Sequence, residues 1–242
     1  MRAIFWALCL FGLASTALAA EVIRPVTSWS DYRDYLVSKG MTTDEADAEI
    51  VDSLRSLNSM DRSAGNDRIG AKAPPFQFDA WLNSEPMDIE SLRGKVVLVR
   101  WWTDTCPFCA SAAPALRNLD RDYRDKGLVV LGVFHPKAGR DDPLDVARVQ
   151  RAVDARGFTF PVAIDWDWRN KTLKDWWLTG PKRPATSVTF LVDKQGVIQF
   201  VHPGMEYHAV EDTDPGQDPA AHQVCPADLG NLQAAVERLL VE

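Results

Sequence analysis

The sequence predicts an α/β fold in which a partly parallel sheet is flanked by helices. Residues 96–102 (VVLVRWW) are β-branched and almost continuously apolar, which is typical of a strand buried on both faces. A helical stretch and a second apolar run, residues 128–134, follow this strand, and such a strand–helix–strand unit forms a parallel crossover. Residues 186–192 and 197–201 flank a turn and predict an antiparallel hairpin, and a helix over 228–240 follows them.

The composition of the 242 residues allows a sizeable core and excludes one class of partner. Hydrophobic residues make up 46% of the chain, enough for one globular domain with an appendage. The formal net charge is −7, and the sequence lacks the basic character that nucleic-acid binding requires. We therefore expect no nucleic-acid partner.

Residues 1–20 predict an export signal. Arg2 is followed by an apolar run over residues 3–13 and then by small residues, so cleavage is expected after Ala19 or Ala20. An uncleaved membrane anchor is the alternative, although the apolar run is short for a span. Export predicts a periplasmic or other location outside the cytoplasm. There a cysteine pair persists as a disulfide and needs dedicated redox partners.

Residues 21–71 predict a helical extension and a linker that precede the main domain. Ser28-x-x-Asp31 and Thr42-x-x-Glu45 have the pattern of capping boxes, so two helices are expected. This helical pair is expected to pack on the main domain. The alternative is a docking or dimerisation element.

The main domain is expected to cover residues 72–242. Its first part, residues 76–89, alternates in hydrophobicity and predicts a short hairpin. Pro114 is expected to kink the helix that follows the first buried strand, because proline removes one backbone donor. Asp142 and Pro143 predict the N-cap and first position of a later helix.

The main domain is organised around Cys106-Pro107-Phe108-Cys109, which lies where the first buried strand turns into a helix. Cys106 is expected at the helix cap, where unpaired amide donors lower a thiol pKa and favour a nucleophilic thiolate. Pro107 has no amide hydrogen and stiffens the loop, and Phe108 offers an apolar contact to a client. The pair therefore predicts dithiol redox chemistry.

Two cysteines at this spacing also occur as half of a zinc site. His222 and Cys225 are separated by two residues and formally complete a four-ligand set with Cys106 and Cys109. Structural zinc pairs usually lie between short strands, whereas this pair follows a long buried strand, where open α/β sheets carry their chemistry. The context favours the redox interpretation, and we expect neither a metal nor a cofactor.

The order of elements resembles the thioredoxin fold, and more closely the exported TlpA/ResA-type redoxins. The likeness covers roughly residues 73–241 and leaves the N-terminal helices outside. It implies a central mixed sheet flanked by helices and a thiol:disulfide oxidoreductase. The segments that carry it are residues 92–99 (LRGKVVLV), the two cysteines, Pro114 five positions after Cys109, and residues 190–196 (FLVDKQG).

The chain departs from this family at three positions. The family has a cis proline three residues before the phenylalanine of its Phe-Leu-Ile-Asp segment, and this chain has Ser187 there. Either Pro184 takes that place or Ser187 lines the active site. Arg100 replaces the buried acid of thioredoxins six residues before the first cysteine, and Thr105 replaces the tryptophan directly before it.

Arg100 lies in a central strand, where a cation needs a partner or a route to solvent. We expect Asp165, at the end of a neighbouring strand, to be that partner. If Arg100 faces the thiols, its charge favours the thiolate.

The predicted mechanism is dithiol–disulfide exchange. Cys106 is the nucleophile that attacks a disulfide, and Cys109 resolves the mixed disulfide. The expected partners are protein or small-molecule disulfides and thiols, together with an upstream redox partner. The direction of electron flow depends on how strongly the folded site stabilises the reduced form.

Three other functions stay open at this point. Thr103, three residues before Cys106, fits the peroxidatic loop of a thiol peroxidase, although the expected proline is Val99. A non-catalytic assembly module would use the N-terminal helices as its partner surface. Metal delivery is suggested by a group of polar-loop residues. These are His202, His208, His222 and Cys225, the last being an odd thiol that either pairs transiently or stays unpaired beside the last helix.

Overall fold

A computed structural model describes residues 22–137, 141–215 and 217–242. The predicted export signal over residues 1–20 lies outside these residues. The strands are β1 (Ala80–Leu82), β2 (Val96–Trp102), β3 (Leu128–Phe134), β4 (Val162–Ile164), β5 (Thr189–Val192) and β6 (Ile198–His202). The helices are α1 (Trp29–Ser38), α2 (Thr43–Ser59), α3 (Pro107–Ser111), α4 (Ala113–Tyr123), α5 (Val146–Arg156) and α6 (Cys225–Val241).

The six strands form one mixed sheet in the order β1-β4-β3-β2-β5-β6. Strand β2 pairs parallel with β3 and antiparallel with β5, and β3 pairs parallel with β4. Strands β5 and β6 form the predicted antiparallel hairpin. The predicted α/β fold with a mixed sheet and N-terminal helices is confirmed.

Every residue of β2 is buried, as its continuous apolar run predicts. Alternate side chains enter two different cores because successive residues of a strand point to opposite faces. Leu98 and Trp102 pack with α4, α5 and α6, whereas Val99 and Trp101 pack against Phe190 and the one-turn π-helix Lys174–Leu178. The carboxyl end of this strand is therefore held rigidly from both sides.

The two predicted N-terminal helices are present, and their caps follow the sequence pattern. The Ser28 side chain accepts the Asp31 amide at the start of α1, and Thr42 and Glu45 form a complete capping box at α2. Trp29 is 1% exposed and packs with Ile50, Leu54 and Cys225 in a small core that is separate from the two cores of the sheet. The extension is thus a packed part of the molecule.

Three local predictions were wrong in detail. The stretch over 76–89 forms no hairpin, since β1 pairs with β4 instead. Helix α5 begins at Val146 because Asp145, rather than Asp142, accepts the Arg148 amide. The predicted kink is a break between α3 and α4 just before Pro114. Within residues 22–137, 141–215 and 217–242, no helix is long and apolar enough to span a membrane.

Candidate dithiol active site

The two cysteines lie at the carboxyl end of β2, at the start of α3. Cys106 is the N-cap residue, and its Sγ accepts a hydrogen bond from the Cys109 amide over 3.1 Å. Pro107 occupies the first position of the helix, where its missing amide hydrogen leaves no bond unmade. Cys106 is half-buried and Cys109 is 2% exposed, and both are free thiols. Cys106 is therefore the sulfur that a partner can reach.

Arg100 is buried beneath this loop, on the same face of β2 as Trp102. Its Nη1 donates to the Thr189 hydroxyl over 3.1 Å, and its Nη2 donates to the Met205 carbonyl. The guanidinium lies 5.1 Å from the centre of the Tyr207 ring. A buried cation is thus held by neutral acceptors and an aromatic face.

The expected pair between Arg100 and Asp165 is not formed, and that prediction was wrong. Asp165 accepts hydrogen bonds from the Trp101 indole over 3.2 Å and from the Leu173 amide over 2.8 Å. Trp101 and Arg100 are adjacent in β2 and point to opposite faces of the sheet. Asp165 is therefore on the face away from Arg100.

The two thiols titrate as a pair because their sulfurs share a hydrogen bond. Burial disfavours both thiolates. For Cys109, the hydrogen bond from the Cys106 thiol and the positive charges of Arg100 and Arg156 outweigh the effect of burial. Together they lower the pKa of Cys109 to about 6. Burial and the neighbouring sulfur then raise the pKa of Cys106 well above its ordinary value, so the lowering predicted for Cys106 was wrong and falls on Cys109 instead. The reduced site thus holds one thiolate and one shared proton at neutral pH.

This low first ionisation predicts the pH dependence of alkylation. The rate of iodoacetamide reaction at the pair, followed by peptide mass spectrometry, is expected to fall as pH drops through about 6, because the thiolate is the reactive form. Arg100→Met removes a positive charge and is expected to shift the midpoint to higher pH. Arg121→Met, at the surface, is the control. An unchanged midpoint in Arg100→Met would contradict the role of this charge.

Behind the loop lies a buried ionic network that was not predicted from the sequence. Asp104 is fully buried and accepts two hydrogen bonds from Arg148, over 2.6 and 2.8 Å. Arg156 donates to the carbonyls of Thr103 and Val26, each over 3.1 Å. One sequence signal could have indicated it. Arg148 and Arg156 each lie four residues from Ala152, which places all three residues on one face of α5, the buried one.

Ser187 supports the wall next to Arg100. Its hydroxyl accepts the Met205 amide over 3.1 Å, and the Met205 carbonyl in turn receives Arg100. The neighbouring Val188 carbonyl accepts the Trp101 amide over 3.0 Å. Pro184 instead borders a surface pocket, and the described residues contain no cis peptide bond. The role of Ser187 toward a substrate stays a prediction.

Phe108, between the two cysteines, packs on the N-terminal extension. Its ring lies edge-on to Trp29 of α1 at a centroid distance of 5.0 Å. Tyr32 is next to Trp29, and burial with the negative charges of Glu49 and Cys106 raises its pKa to about 12. Helix α1 therefore forms one side of the cysteine loop.

Asp165 gives a second test of the site's electrostatics. Burial raises its pKa to about 6, so the folded state binds this proton more tightly than the unfolded chain does. Stability is then expected to fall as pH rises from about 4 to about 6, by about 3 kcal/mol in total. Asp165→Asn keeps the shape and removes this slope.

The check is urea unfolding of wild type and Asp165→Asn at several pH values. The stability difference between them is expected to move in favour of the variant as pH rises. Parallel pH profiles for the two proteins would contradict the assignment.

The fold and the site define a thioredoxin-like protein. A crystal structure from Chlorobium tepidum, described as a thiol:disulfide interchange protein DsbE, superposes with a TM-score of 0.52 at 21% identity. The superposition covers 75% of this chain and 99% of the Chlorobium tepidum chain. The Redoxin family model matches residues 68–215. The chain belongs to the Redoxin family, and the resemblance stated from the sequence is confirmed.

Two curated relatives are similar to part of this chain. Protein DipZ of Mycobacterium bovis is 30% identical over 163 residues, which is 64% of this chain but 22% of DipZ. The thiol-disulfide oxidoreductase ResA of Halalkalibacterium halodurans is 29% identical over 137 residues, 57% of this chain and 69% of ResA. The chain thus spans about a fifth of DipZ. ResA is named a thiol-disulfide oxidoreductase, and this is the enzyme class predicted from the sequence of this chain.

Proposed function

We propose that this protein is a thiol:disulfide oxidoreductase that exchanges the Cys106–Cys109 dithiol or disulfide with protein or small-thiol partners outside the cytoplasm. The observation that carries the proposal is the pairing of a reachable Cys106 sulfur with a buried Cys109 at the start of α3. The positive charges of Arg100 and Arg156 favour a thiolate in this pair. A stabilised thiolate beside a second thiol is what exchange requires.

In the reducing direction, the proton shared by the pair passes to Cys109, and Cys106 attacks one sulfur of a substrate disulfide as the thiolate. The substrate disulfide breaks, its second sulfur leaves as a thiolate that takes up a proton, and a mixed disulfide forms. Cys109 then attacks the Cys106 sulfur and releases the substrate as a dithiol. Two electrons pass to the substrate, and the protein is left with a Cys106–Cys109 disulfide. An upstream dithiol partner restores the reduced form by the same steps.

The proposed location rests on the basic, apolar and small-residue order of residues 1–20. We further propose that residues 21–71 act as one unit with the main domain over 72–242. The contact between Trp29 and Phe108 supports this, because it joins the extension to the cysteine loop. A client would then meet Cys106 beside α1.

A turnover assay tests the proposed function. The reduced protein is mixed with a disulfide-bonded protein and dithiothreitol, and release of substrate thiols is expected to exceed the rate with dithiothreitol alone. Hydrogen peroxide is offered in a parallel stopped-flow experiment, where oxidation no faster than that of a free thiol is expected. Fast peroxide oxidation without disulfide turnover would favour a thiol peroxidase instead.

A further inference from the structure

We propose that Glu206, His208, His222 and Cys225 bind one zinc ion. Among the described residues these four side chains form a cluster in which one ligand atom from each lies within 4.8 Å of the others. All four are buried, with at most 2% exposed. The proposal does not depend on the redox function, because it uses none of the groups assigned to exchange.

Three separate elements bring the ligands together. Glu206 and His208 belong to the loop after β6, His222 ends the short 3-10 helix Pro219–His222, and Cys225 is the first residue of α6. Glu206 Oε1 lies at the centre: it is 3.6 Å from His208 Nε2 and 3.5 Å from Cys225 Sγ, and it contacts His222 Nδ1. Groups far apart in sequence thus converge on one point.

The cluster contains buried polar atoms without a hydrogen-bond partner. These are Glu206 Oε2, His208 Nε2 and His222 Nε2. His208 Nδ1 donates to the Ala209 carbonyl over 2.8 Å, which holds a proton on that nitrogen and leaves Nε2, 3.6 Å from Glu206 Oε1, as the atom available to a metal ion. A cation bound between His208 Nε2 and Glu206 would give both groups a partner in the interior, where an unpaired polar atom is costly.

The donor set fits zinc. Two imidazoles, one thiolate and one carboxylate give four ligands of the types that Zn²⁺ takes in closed tetrahedral sites. Zinc bonds of about 2.0–2.3 Å place tetrahedral ligand atoms about 3.3–3.8 Å apart. The distances from Glu206 Oε1 to His208 Nε2 and Cys225 Sγ, 3.6 and 3.5 Å, already fit this spacing. The contact between Glu206 and His222, in contrast, has to open to admit the ion. Binding releases the Cys225 proton, since the thiolate is the ligand.

The zinc ion would join the extension to the main domain. Cys225 shares a small core with Trp29, Ile50 and Leu54, and the His222 ring lies 6.2 Å from that of Trp29. Trp29 also contacts Phe108. The ion is therefore expected to stabilise the loop between β6 and α6 together with α1.

Metal analysis of the full chain tests the proposal. After loading with zinc and gel filtration, one zinc per chain is expected in wild type and in Cys106→Ser/Cys109→Ser, and almost none in Glu206→Gln or His222→Gln. His202→Gln, a buried histidine outside the cluster, is the matched control and is expected to keep its zinc. Equal zinc in all variants, no zinc in wild type, or loss with Cys106→Ser/Cys109→Ser would overturn the proposal.

A second measurement needs no change to the cluster. In Cys9→Ser/Cys106→Ser/Cys109→Ser, Cys225 is the single remaining thiol. Cobalt loading of this variant is expected to give a thiolate-to-cobalt charge-transfer band, and zinc is expected to displace it. Zinc is also expected to raise the unfolding temperature, as for any ligand that binds only the folded state. A cobalt spectrum without a thiolate band would contradict the site.

Discussion

Cys106→Ser is expected to lower disulfide-reducing turnover to the background of dithiothreitol alone, a loss on the order of 100-fold or more. The reason is positional: Cys106 is the half-buried sulfur, and Cys109 is 2% exposed and cannot replace it. The assay is release of thiols from a disulfide-bonded protein, measured at saturating dithiothreitol.

Cys109→Ser is the matched control, since it is the same substitution three residues away. This variant keeps the attacking sulfur and lacks the resolving one, so it is expected to accumulate a mixed disulfide between Cys106 and the substrate. Non-reducing electrophoresis and mass spectrometry detect that adduct. Full turnover by Cys106→Ser, or an adduct formed through Cys109 in that variant, would contradict the assigned order of attack.

Among the substitutions proposed for this protein, Asp104→Asn is expected to lower the free energy of unfolding most, by about 3–5 kcal/mol. Asp104 is fully buried and accepts two hydrogen bonds from Arg148, so the substitution removes a carboxylate that is paired with a buried guanidinium. Its backbone carbonyl also accepts the Val26 amide, so the change lies where the extension meets the cysteine loop. Urea unfolding at neutral pH measures the effect.

Asp52→Asn is the control for this substitution. Asp52 pairs with Arg55 at the surface, where both side chains are largely exposed, and a pair of this kind contributes little to stability. Its unfolding midpoint is expected to stay close to that of wild type. A small effect of Asp104→Asn, equal to that of Asp52→Asn, would mean that the buried pair is not needed for folding.

The elements that dominate the fold carried strong local signals. The apolar run of β2 predicted a strand buried on both faces, and the cysteines directly after it predicted a thiol at a helix cap. Both features depend on neighbours in sequence, which is why they could be predicted. The caps at Ser28 and Thr42 were predictable for the same reason.

The partners of the buried charged side chains could not be predicted from the sequence. Arg100 is held by Thr189 and Met205, about 90 and 105 residues away, and its face of the sheet excludes Asp165. The contact of Trp29 with Phe108 likewise depends on how α1 docks. Such contacts follow from tertiary packing, on which local patterns carry little information.

Equilibration with glutathione tests the central claim most directly. The protein is incubated in buffers of increasing oxidised-to-reduced glutathione ratio, its thiols are trapped by acid and alkylation, and its bridges are mapped by mass spectrometry. The expected result is one Cys106–Cys109 disulfide that forms in a single two-electron transition, with Cys225 remaining a thiol. A chain with no such bridge at any ratio, or with Cys225 bridged to either active-site cysteine, would contradict dithiol exchange at this site.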